Sequence, residues 1–270
     1  MASLHFLTRK ASVCATGIGT AMAMAAGAAS ANSFTNGNFT NTTPLVGTQT
    51  QGQVNNQLTI NGWTVPIDAT NSLGYVFLFN SGASAMSGVS GQFGSLALWG
   101  TGNSGPDTIV NSPAGGNFIG MDADLSSHMQ PVEQVITGLT TGKTYTVTFD
   151  YAFAQQYGYN GDTHQAWTVD LGGDPSQQTP SALYNLGQHN FSGWFADTMT
   201  FVAGGPTETL SFLATGSPAV PPFALLDGVT FSQDAVPEPA TWAMMLLGFA
   251  SLGFVGYRRA KKRAAAPVAA

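Results

Sequence analysis

The chain has 270 residues, enough for one or two domains, and only 8% of them are charged, against about 25% in an ordinary soluble domain. Seven of the eight basic residues lie near the two ends, which leaves Lys143 alone against thirteen acids between Asp68 and Asp234, a net charge of −12. This acidic middle excludes nucleic acid as a partner, because neutralising phosphates needs a basic face. The basic ends have the pattern of membrane-directed segments, which argues against a cytosolic protein.

The first 31 residues have the three parts of a secretory signal peptide. Arg9 and Lys10 supply the positive charge, the stretch 11–26 is apolar, and Ala29-Ser30-Ala31 has small residues at the positions that a signal peptidase needs. We therefore expect cleavage after Ala31. The alternative is a retained anchor helix, although this stretch of glycine and alanine is weakly hydrophobic for that role.

Residues 32–235 form the predicted mature domain. The only cysteine, Cys14, lies in the signal segment, so this domain has no disulfides and needs a hydrophobic core. Residues 144–153 alternate between apolar and polar, which is typical of a half-buried strand. Similar short runs are centred on Trp167, Met199, Leu210 and Leu225. No segment of the domain has a long helical period, so the sequence predicts an all-β fold, an antiparallel jelly-roll β-sandwich with little helix.

Turn residues separate the predicted strands. Gly204-Gly205-Pro206 divides two of them and indicates a hairpin. The segment 80–116 is rich in glycine, serine and asparagine, which favours long loops with one or two short strands. We expect these strands at 93–99 and 117–121.

Three groups of residues resemble the galactose-binding-like β-sandwiches, which include many carbohydrate-binding modules. The opening is Asn36-Gly37-Asn38-Phe39 with Gly62-Trp63, the middle is 134–145, and the close is Leu226-Asp227-Gly228-Val229. The resemblance implies a central hairpin at 134–145 and first and last strands that lie close together. It also implies a structural Ca²⁺ with Asn38 and Asp227 at the matching positions. Thr40 stands where the family usually has an acid, which weakens such a site because Ca²⁺ affinity follows ligand charge.

Few residues indicate catalysis. The domain has no nucleophile elbow and no zinc-protease motif, and His128, His164 and His189 are too scattered for a metal site. We therefore expect no enzyme and no certain cofactor. Asp122 and Asp124 stay open as a separate Ca²⁺ contact. A polysaccharide hydrolase also stays open, because acidic residues can serve glycoside hydrolysis in pairs; its candidates are Asp150, Asp162 and Asp170.

Aromatic residues are the better lead to a ligand, since flat rings with a polar edge can stack on sugar faces. Tyr157 and Tyr159 lie in a polar, glycine-containing segment, and we predict that they form a binding rim. Trp167 begins a strand and is expected in the core.

The C-terminus has three consecutive parts. Val236, Pro237, Glu238 and Pro239 come first, and the prolines keep this segment extended. The 18 apolar residues 240–257 follow, and as a helix they would reach about 27 Å, enough for a bilayer core. A basic stop then ends the predicted signal at 263, before a short tail, 264–270. The residues of this stop are Arg258, Arg259, Lys261, Lys262 and Arg263.

These three parts resemble the PEP-CTERM sorting tail of Gram-negative bacteria. The resemblance implies that an exosortase cuts the tail and that the product reaches the cell surface or the exopolysaccharide matrix. The positive-inside rule predicts a transient transmembrane anchor with a cytoplasmic C-terminus. The sequence thus predicts an exported surface protein that binds a polysaccharide, with a purely structural protein as the alternative.

Overall fold

The computed structural model describes residues 31–67, 73–123, 129–172, 174–219, 222–234 and 239–264. The chain divides into two compact units, of which one is Ala29–Ala235. The other contains Val236–Ala270 together with Met1–Ala28. The signal segment at 1–30 lies outside the described residues, so its cleavage stays a prediction.

The unit Ala29–Ala235 is built almost entirely from strands. Its first seven strands are β1 Thr42–Pro44, β2 Gly52–Gln53, β3 Leu58–Ile60, β4 Val76–Phe79, β5 Val89–Gly91, β6 Gly94–Leu96 and β7 Phe118–Asp122. The other seven are β8 Val132–Thr137, β9 Thr144–Gln155, β10 Thr163–Leu171, β11 Gln177–Leu186, β12 Phe195–Val202, β13 Thr207–Ser217 and β14 Pro222–Gln233. The helices among the described residues are α1 Gly82–Ser87, a 3₁₀ turn Thr101–Asn103 and α2 Pro239–Ala264.

The strands form two large antiparallel sheets. One sheet has six strands in the order β12-β9-β14-β7-β4-β2, and the other has four in the order β11-β10-β13-β8. Two small pairs, β1–β3 and β5–β6, complete the described sheets. The all-β antiparallel prediction is confirmed.

The main core lies between the two large sheets. On β9, the residues Tyr145, Val147 and Phe149 begin an alternating row that faces Trp167 and Phe212 of the four-stranded sheet. Each large apolar side chain that is fully buried contributes roughly 1.5–3 kcal/mol. The core therefore supplies the stability that a cysteine-free domain cannot obtain from disulfides, and the predicted core position of Trp167 is confirmed.

Two predicted hairpins are wrong. The turn at 203–206 joins β12 of the six-stranded sheet to β13 of the four-stranded sheet, and the turn at 138–143 joins β8 to β9 across the same gap. Turn residues report that the chain reverses, but they do not determine which sheet the next strand joins. The implied closeness of the two ends of the domain is present, because Val229 N–H donates to the Gly37 carbonyl at 2.9 Å.

A second apolar cluster lies on the outer face of the six-stranded sheet. Phe77, Phe223 and Leu225 point outward, and the segment 80–116 covers them with helix α1 and the β5–β6 hairpin. We expected loops with a strand at 93–99; the strand is shorter, Gly94–Leu96, and the second expected strand is β7. Helix α1 was missed because six residues show no periodicity. It begins at a capping box in which Ser81 Oγ accepts from Ser84 N–H at 3.2 Å.

Helix α2 has 26 residues, Pro239–Ala264. The predicted basic stop lies within its last turns, where the Arg258 guanidinium stands 5.6 Å from the centre of the Phe254 ring. Among the described residues, no helix combines the length and the apolar character that a membrane crossing requires. The transmembrane anchor therefore stays a prediction.

Candidate functional site

The two predicted rim tyrosines lie in the turn that joins β9 to β10. A buried side chain, Gln155, fixes this turn from below. Its amide nitrogen donates to Thr163 Oγ1 at 3.0 Å and to the Gly161 carbonyl at 3.2 Å, and its amide oxygen accepts from His189 N–H at 2.6 Å. Gly161 lies in the turn after β9 and His189 in the turn after β11, so Gln155 links these two turns.

The outer layer brings an indole ring onto the same turn. Trp99 N–H donates to the Gln155 carbonyl, and Tyr157 N–H donates to the Ala97 carbonyl, both at 2.8 Å. The Trp99 ring then stacks on His189 with centroids 3.8 Å apart and planes 28° apart. It also contacts Tyr157, with centroids 4.6 Å apart.

Polar bonds hold the edges of this cluster, which we call the aromatic rim and define as Trp99, Tyr157, Tyr159 and His189. The indole N–H of Trp99 donates to the Tyr159 carbonyl at 2.9 Å, and His189 Nε2 pairs with Asn160 Oδ1 at the same distance. Tyr157 is 48% and Tyr159 44% exposed. The rim thus presents apolar ring faces with polar edges to solvent, at fixed positions.

The structure places Tyr157 and Tyr159 in this cluster, and their role in binding stays a prediction. Trp99 was expected at the end of a strand, and His189 was not expected in any site. The contact between them joins positions ninety residues apart, and no local pattern could indicate it. His189 does carry one unusual feature, a positive φ of 61°. Trp194, also near polar residues in the sequence, lies elsewhere and packs on Phe118.

Within the described part of the sandwich unit, no lysine or arginine lies beside the rim. Lys143 is the only lysine or arginine between Lys10 and Arg258. It directly precedes β9, whereas Tyr157 follows the other end of this strand of 12 residues, so the two lie about 40 Å apart. Asp162, which accepts from Gln188 N–H at 2.9 Å, is exposed close to the rim. Such a surface suits an uncharged ligand better than an anionic one.

A second candidate site surrounds Asp227, one of the two implied Ca²⁺ ligands. Asp227 is fully buried on the outer face of the six-stranded sheet, directly across from Asp150 on β9. Among the described residues, neither of its carboxylate oxygens has a hydrogen-bond partner. Burial raises the pKa of Asp227 to about 7. The Gly228 N–H and the Ser112 hydroxyl offset this only in part, since neither forms a well-aligned bond, and the Asp150 charge adds to the rise.

The side-chain oxygens around Asp227 are of the kind that a hard cation prefers. Burial also raises the pKa of Asp150, and two desolvated carboxylates without a cation repel each other. Oxygens of Asp227, Asp150 and Ser112 would hold a Ca²⁺, which would supply the missing positive charge. Among the described residues, no group of three or more His, Cys, Asp or Glu residues is placed to hold a metal.

The other implied ligand, Asn38, is exposed and accepts from Thr40 Oγ1 at 3.0 Å through its side-chain oxygen. Its neighbour Gly37 lies against Val229, two residues from Asp227. The pairing of Asn38 with Asp227 stays a prediction. Asp122 and Asp124 were the residues of the separate Ca²⁺ contact that the sequence left open. Asp122 is buried at the end of β7, while Asp124 lies outside the described residues.

The remaining candidates are dispersed. Asp150 lies on the six-stranded sheet, Asp170 on the four-stranded sheet and Asp162 in the turn after β9, so the structure does not assemble the three hydrolase candidates. His164 is exposed at the start of β10, and His128 lies outside the described residues. Of the sorting motif, Val236, Pro237 and Glu238 lie outside the described residues, and Pro239 begins α2.

Residues 235–260 match the family model of the PEP-CTERM protein-sorting motif. The chain carries a PEP-CTERM sorting motif. The match confirms the resemblance to a PEP-CTERM tail, while the predicted bounds 236–263 stay a prediction, and it implies export to the cell surface and processing by an exosortase. It covers 26 residues and says nothing about the sandwich domain. A search of curated protein sequences finds no match.

Solved structures similar to the chain include several carbohydrate-binding modules. One is TmCBM61 in complex with β-1,4-galactotriose, with 13% identity, 64% of this chain and 90% of that chain covered, and a TM-score of 0.36. Another is the CBM22-1 xylan-binding domain of Paenibacillus barcinonensis Xyn10C, with 11% identity, 65% and 88% covered, and a TM-score of 0.33. A third is the N-terminal cellulose-binding domain of Cellulomonas fimi β-1,4-glucanase C, with 20% identity, 54% and 93% covered, and a TM-score of 0.26. At such low scores, the fold of this chain rests on its own strand pairing.

Proposed function

We propose that this protein is exported and sorted through its PEP-CTERM tail, and that its β-sandwich binds a neutral glycan at the cell surface or in the exopolysaccharide matrix. The observation that carries the glycan proposal is the aromatic rim. Gln155 holds the turns that carry the rim and the Tyr159 carbonyl accepts from the Trp99 indole, yet Tyr157 and Tyr159 remain about half exposed.

Sugar recognition needs two kinds of contact, and the rim offers both. Ring faces can cover the apolar C–H face of a pyranose, while the Tyr hydroxyls and the Asn160 amide can bond to its hydroxyls. The immobilised turns leave little conformational entropy to lose on binding. Because Lys143 lies at the far end of β9, no lysine or arginine in the described part of the sandwich unit is placed to neutralise an acidic sugar at the rim.

A glycan array with the folded domain, followed by titration calorimetry on the sugars that bind, tests this proposal. Trp99→Ala and Tyr157→Ala should each lower the affinity about 3- to 10-fold, as the loss of one stacking ring predicts. Phe195→Ala removes a ring on β12 that is 36% exposed and whose ring contacts are with Tyr151 and Tyr184, outside the rim, and it serves as the control. A correctly folded domain that binds no sugar would refute glycan binding and favour a purely structural surface protein.

We also propose that the domain binds without hydrolysing its ligand, since the candidate carboxylates lie apart. Incubation with matrix polysaccharide should release no reducing ends. If it does, and Asp150→Asn or Asp170→Asn stops the release, the protein is a hydrolase.

Processing of the tail is tested by mass spectrometry of the surface-exposed protein. We expect a C-terminus within or near the motif, without the basic residues up to Arg263. Recovery of an intact chain from the surface would contradict exosortase processing. This outcome is independent of glycan binding.

A further inference from the structure

An exposed aromatic residue, Phe93, lies at the tip of the β5–β6 hairpin and contacts the partly buried Tyr75, which directly precedes β4. Phe93 is 79% exposed, more than any other large hydrophobic side chain in the described part of the chain. Its ring stacks on Tyr75 with centroids 6.0 Å apart and planes 24° apart. Tyr75 in turn packs against the outer apolar cluster, so its position is fixed.

The hairpin that carries Phe93 is held from both sides. Gln92 N–H donates to Gln53 Oε1 at 2.7 Å, and the buried Gln53 side chain donates to the Gly74 carbonyl at 3.0 Å. Gly91 lies so close to Phe77 that an added Cβ would stand 2.8 Å from its ring. Because the hairpin is anchored, the exposure of Phe93 is a built feature of the surface and not the result of a loose loop.

The strand register places this pair at the same end of the six-stranded sheet as the aromatic rim. Val76 pairs with Met121, and Phe223 pairs with both Asp122 and Ala154. The row that begins at Tyr75 therefore reaches β9 after three strand spacings, about 14 Å. Tyr157 follows three residues beyond Ala154.

The chain itself also connects the two positions. Trp99 is only six positions beyond Phe93, which limits the distance between them to about 20 Å. The link is partly fixed, since Gly94–Leu96 forms β6 and Leu98 forms an antiparallel bridge with Gln156. The chain thus limits the distance from Phe93 to Trp99 to about 20 Å, and the register row separates Tyr75 from Ala154, three residues before Tyr157, by about 14 Å. A single sugar ring cannot reach across that row of strands.

We propose that Phe93 and Tyr75 form a second binding position for the same ligand, which makes the ligand a neutral glycan chain rather than a mono- or disaccharide. This inference rests on the proposed function of the rim. One end of the chain stacks on Trp99 and Tyr157, and a ring several units away stacks on Phe93. The acidic, lysine-poor surface favours an uncharged polymer at both positions.

Titration calorimetry with β-1,4-linked gluco-, xylo- and galacto-oligosaccharides, from disaccharides to octasaccharides, tests this arrangement. Affinity should first rise with chain length as the rim is filled, and should show a second rise once the oligosaccharide is long enough to reach Phe93. Phe93→Ala should remove that second rise, a loss of about 3- to 10-fold for long chains, and leave short chains unaffected. Phe93→Tyr should keep the rise, whereas Phe93→Leu should not, because leucine retains apolar area without a flat ring.

The outcomes separate the two proposals. If Trp99→Ala lowers the affinity while Phe93→Ala equals the unaltered protein at every chain length, the second position is refuted and the rim stands. If no sugar of any length binds, both proposals fail. Since Phe93 is exposed, its variants should keep the unaltered melting temperature, and a loss of binding cannot then be attributed to unfolding.

Discussion

The two faces of the six-stranded sheet are built by different means. The inner face of β9 carries an unbroken alternation of large apolar residues that meets the four-stranded sheet. The outer face carries Ala152 and Ala154, then Asp150 beside the buried Asp227, under a covering segment rich in glycine and serine. The inner face therefore supplies most of the stability. The outer face holds both aromatic positions and the buried carboxylates, so it carries the features from which function is proposed.

Removal of the largest core side chain should have the greatest effect on stability. Trp167→Ala leaves a cavity between the sheets and removes the bond from the indole N–H to the Leu225 carbonyl. We expect a loss of about 3–5 kcal/mol in the free energy of unfolding, measured by urea denaturation. Trp167→Phe, which keeps a ring, should lose much less. A small effect of the alanine variant would show that the inner face does not dominate stability.

The buried carboxylate on the outer face should make stability depend on pH. The folded pKa of Asp227 is raised to about 7, so its protonated form is favoured in the fold. The contribution of Asp227 to the free energy of unfolding is then fully present below the pKa of the unfolded state, near 4, and is lost as the pH rises towards 7. By the conversion of about 1.4 kcal/mol per pH unit, we expect a loss of about 2–4 kcal/mol.

Thermal denaturation between those pH values measures this loss, and Asp227→Asn should abolish it. Asp162→Asn, at an exposed carboxylate, is the control.

If the predicted Ca²⁺ site forms, added Ca²⁺ should raise the melting temperature at neutral pH and a chelator should lower it. Neither should act on Asp227→Asn. A melting temperature independent of both pH and Ca²⁺ would contradict the burial of Asp227.

The segment 80–116, which covers the outer face, should contribute less to the free energy of unfolding than the core does, but more than a loop without packed contacts. Gly82 begins α1, and a Cβ at this position would stand 1.9 Å from the Ile109 carbonyl oxygen, which is backbone and cannot rotate away. Gly82→Ala should therefore cost about 1–3 kcal/mol of unfolding free energy. Ser87→Ala, on the exposed side of the same helix, should cost little. Equal stability of the two variants would show that the segment does not pack as described.

The same contrast explains how much the sequence could predict. The inner face follows a period of two over many residues, so the run 144–153 and the core position of Trp167 are predictable. The outer layer depends on contacts between distant parts of the chain, such as Trp99 with His189 and Asp150 with Asp227. It also contains a helix of only six residues, too short for a period to appear. Tyr157 and Tyr159 were predicted from their local surroundings, but their aromatic partner was not.

The smallest stability effect should come from the most exposed aromatic residue. Phe93→Ala removes a ring that is mostly in solvent, and its contact with Tyr75 is lost without opening a cavity. We expect a change within about 0.5 kcal/mol in urea denaturation. A larger loss would mean that the ring supports the hairpin on Tyr75, which would account for its position without a ligand. A negligible loss would show that the exposed ring of Phe93 does not stabilise the hairpin. Ligand binding would then explain its exposure, in agreement with the aromatic rim near the same end of the sheet.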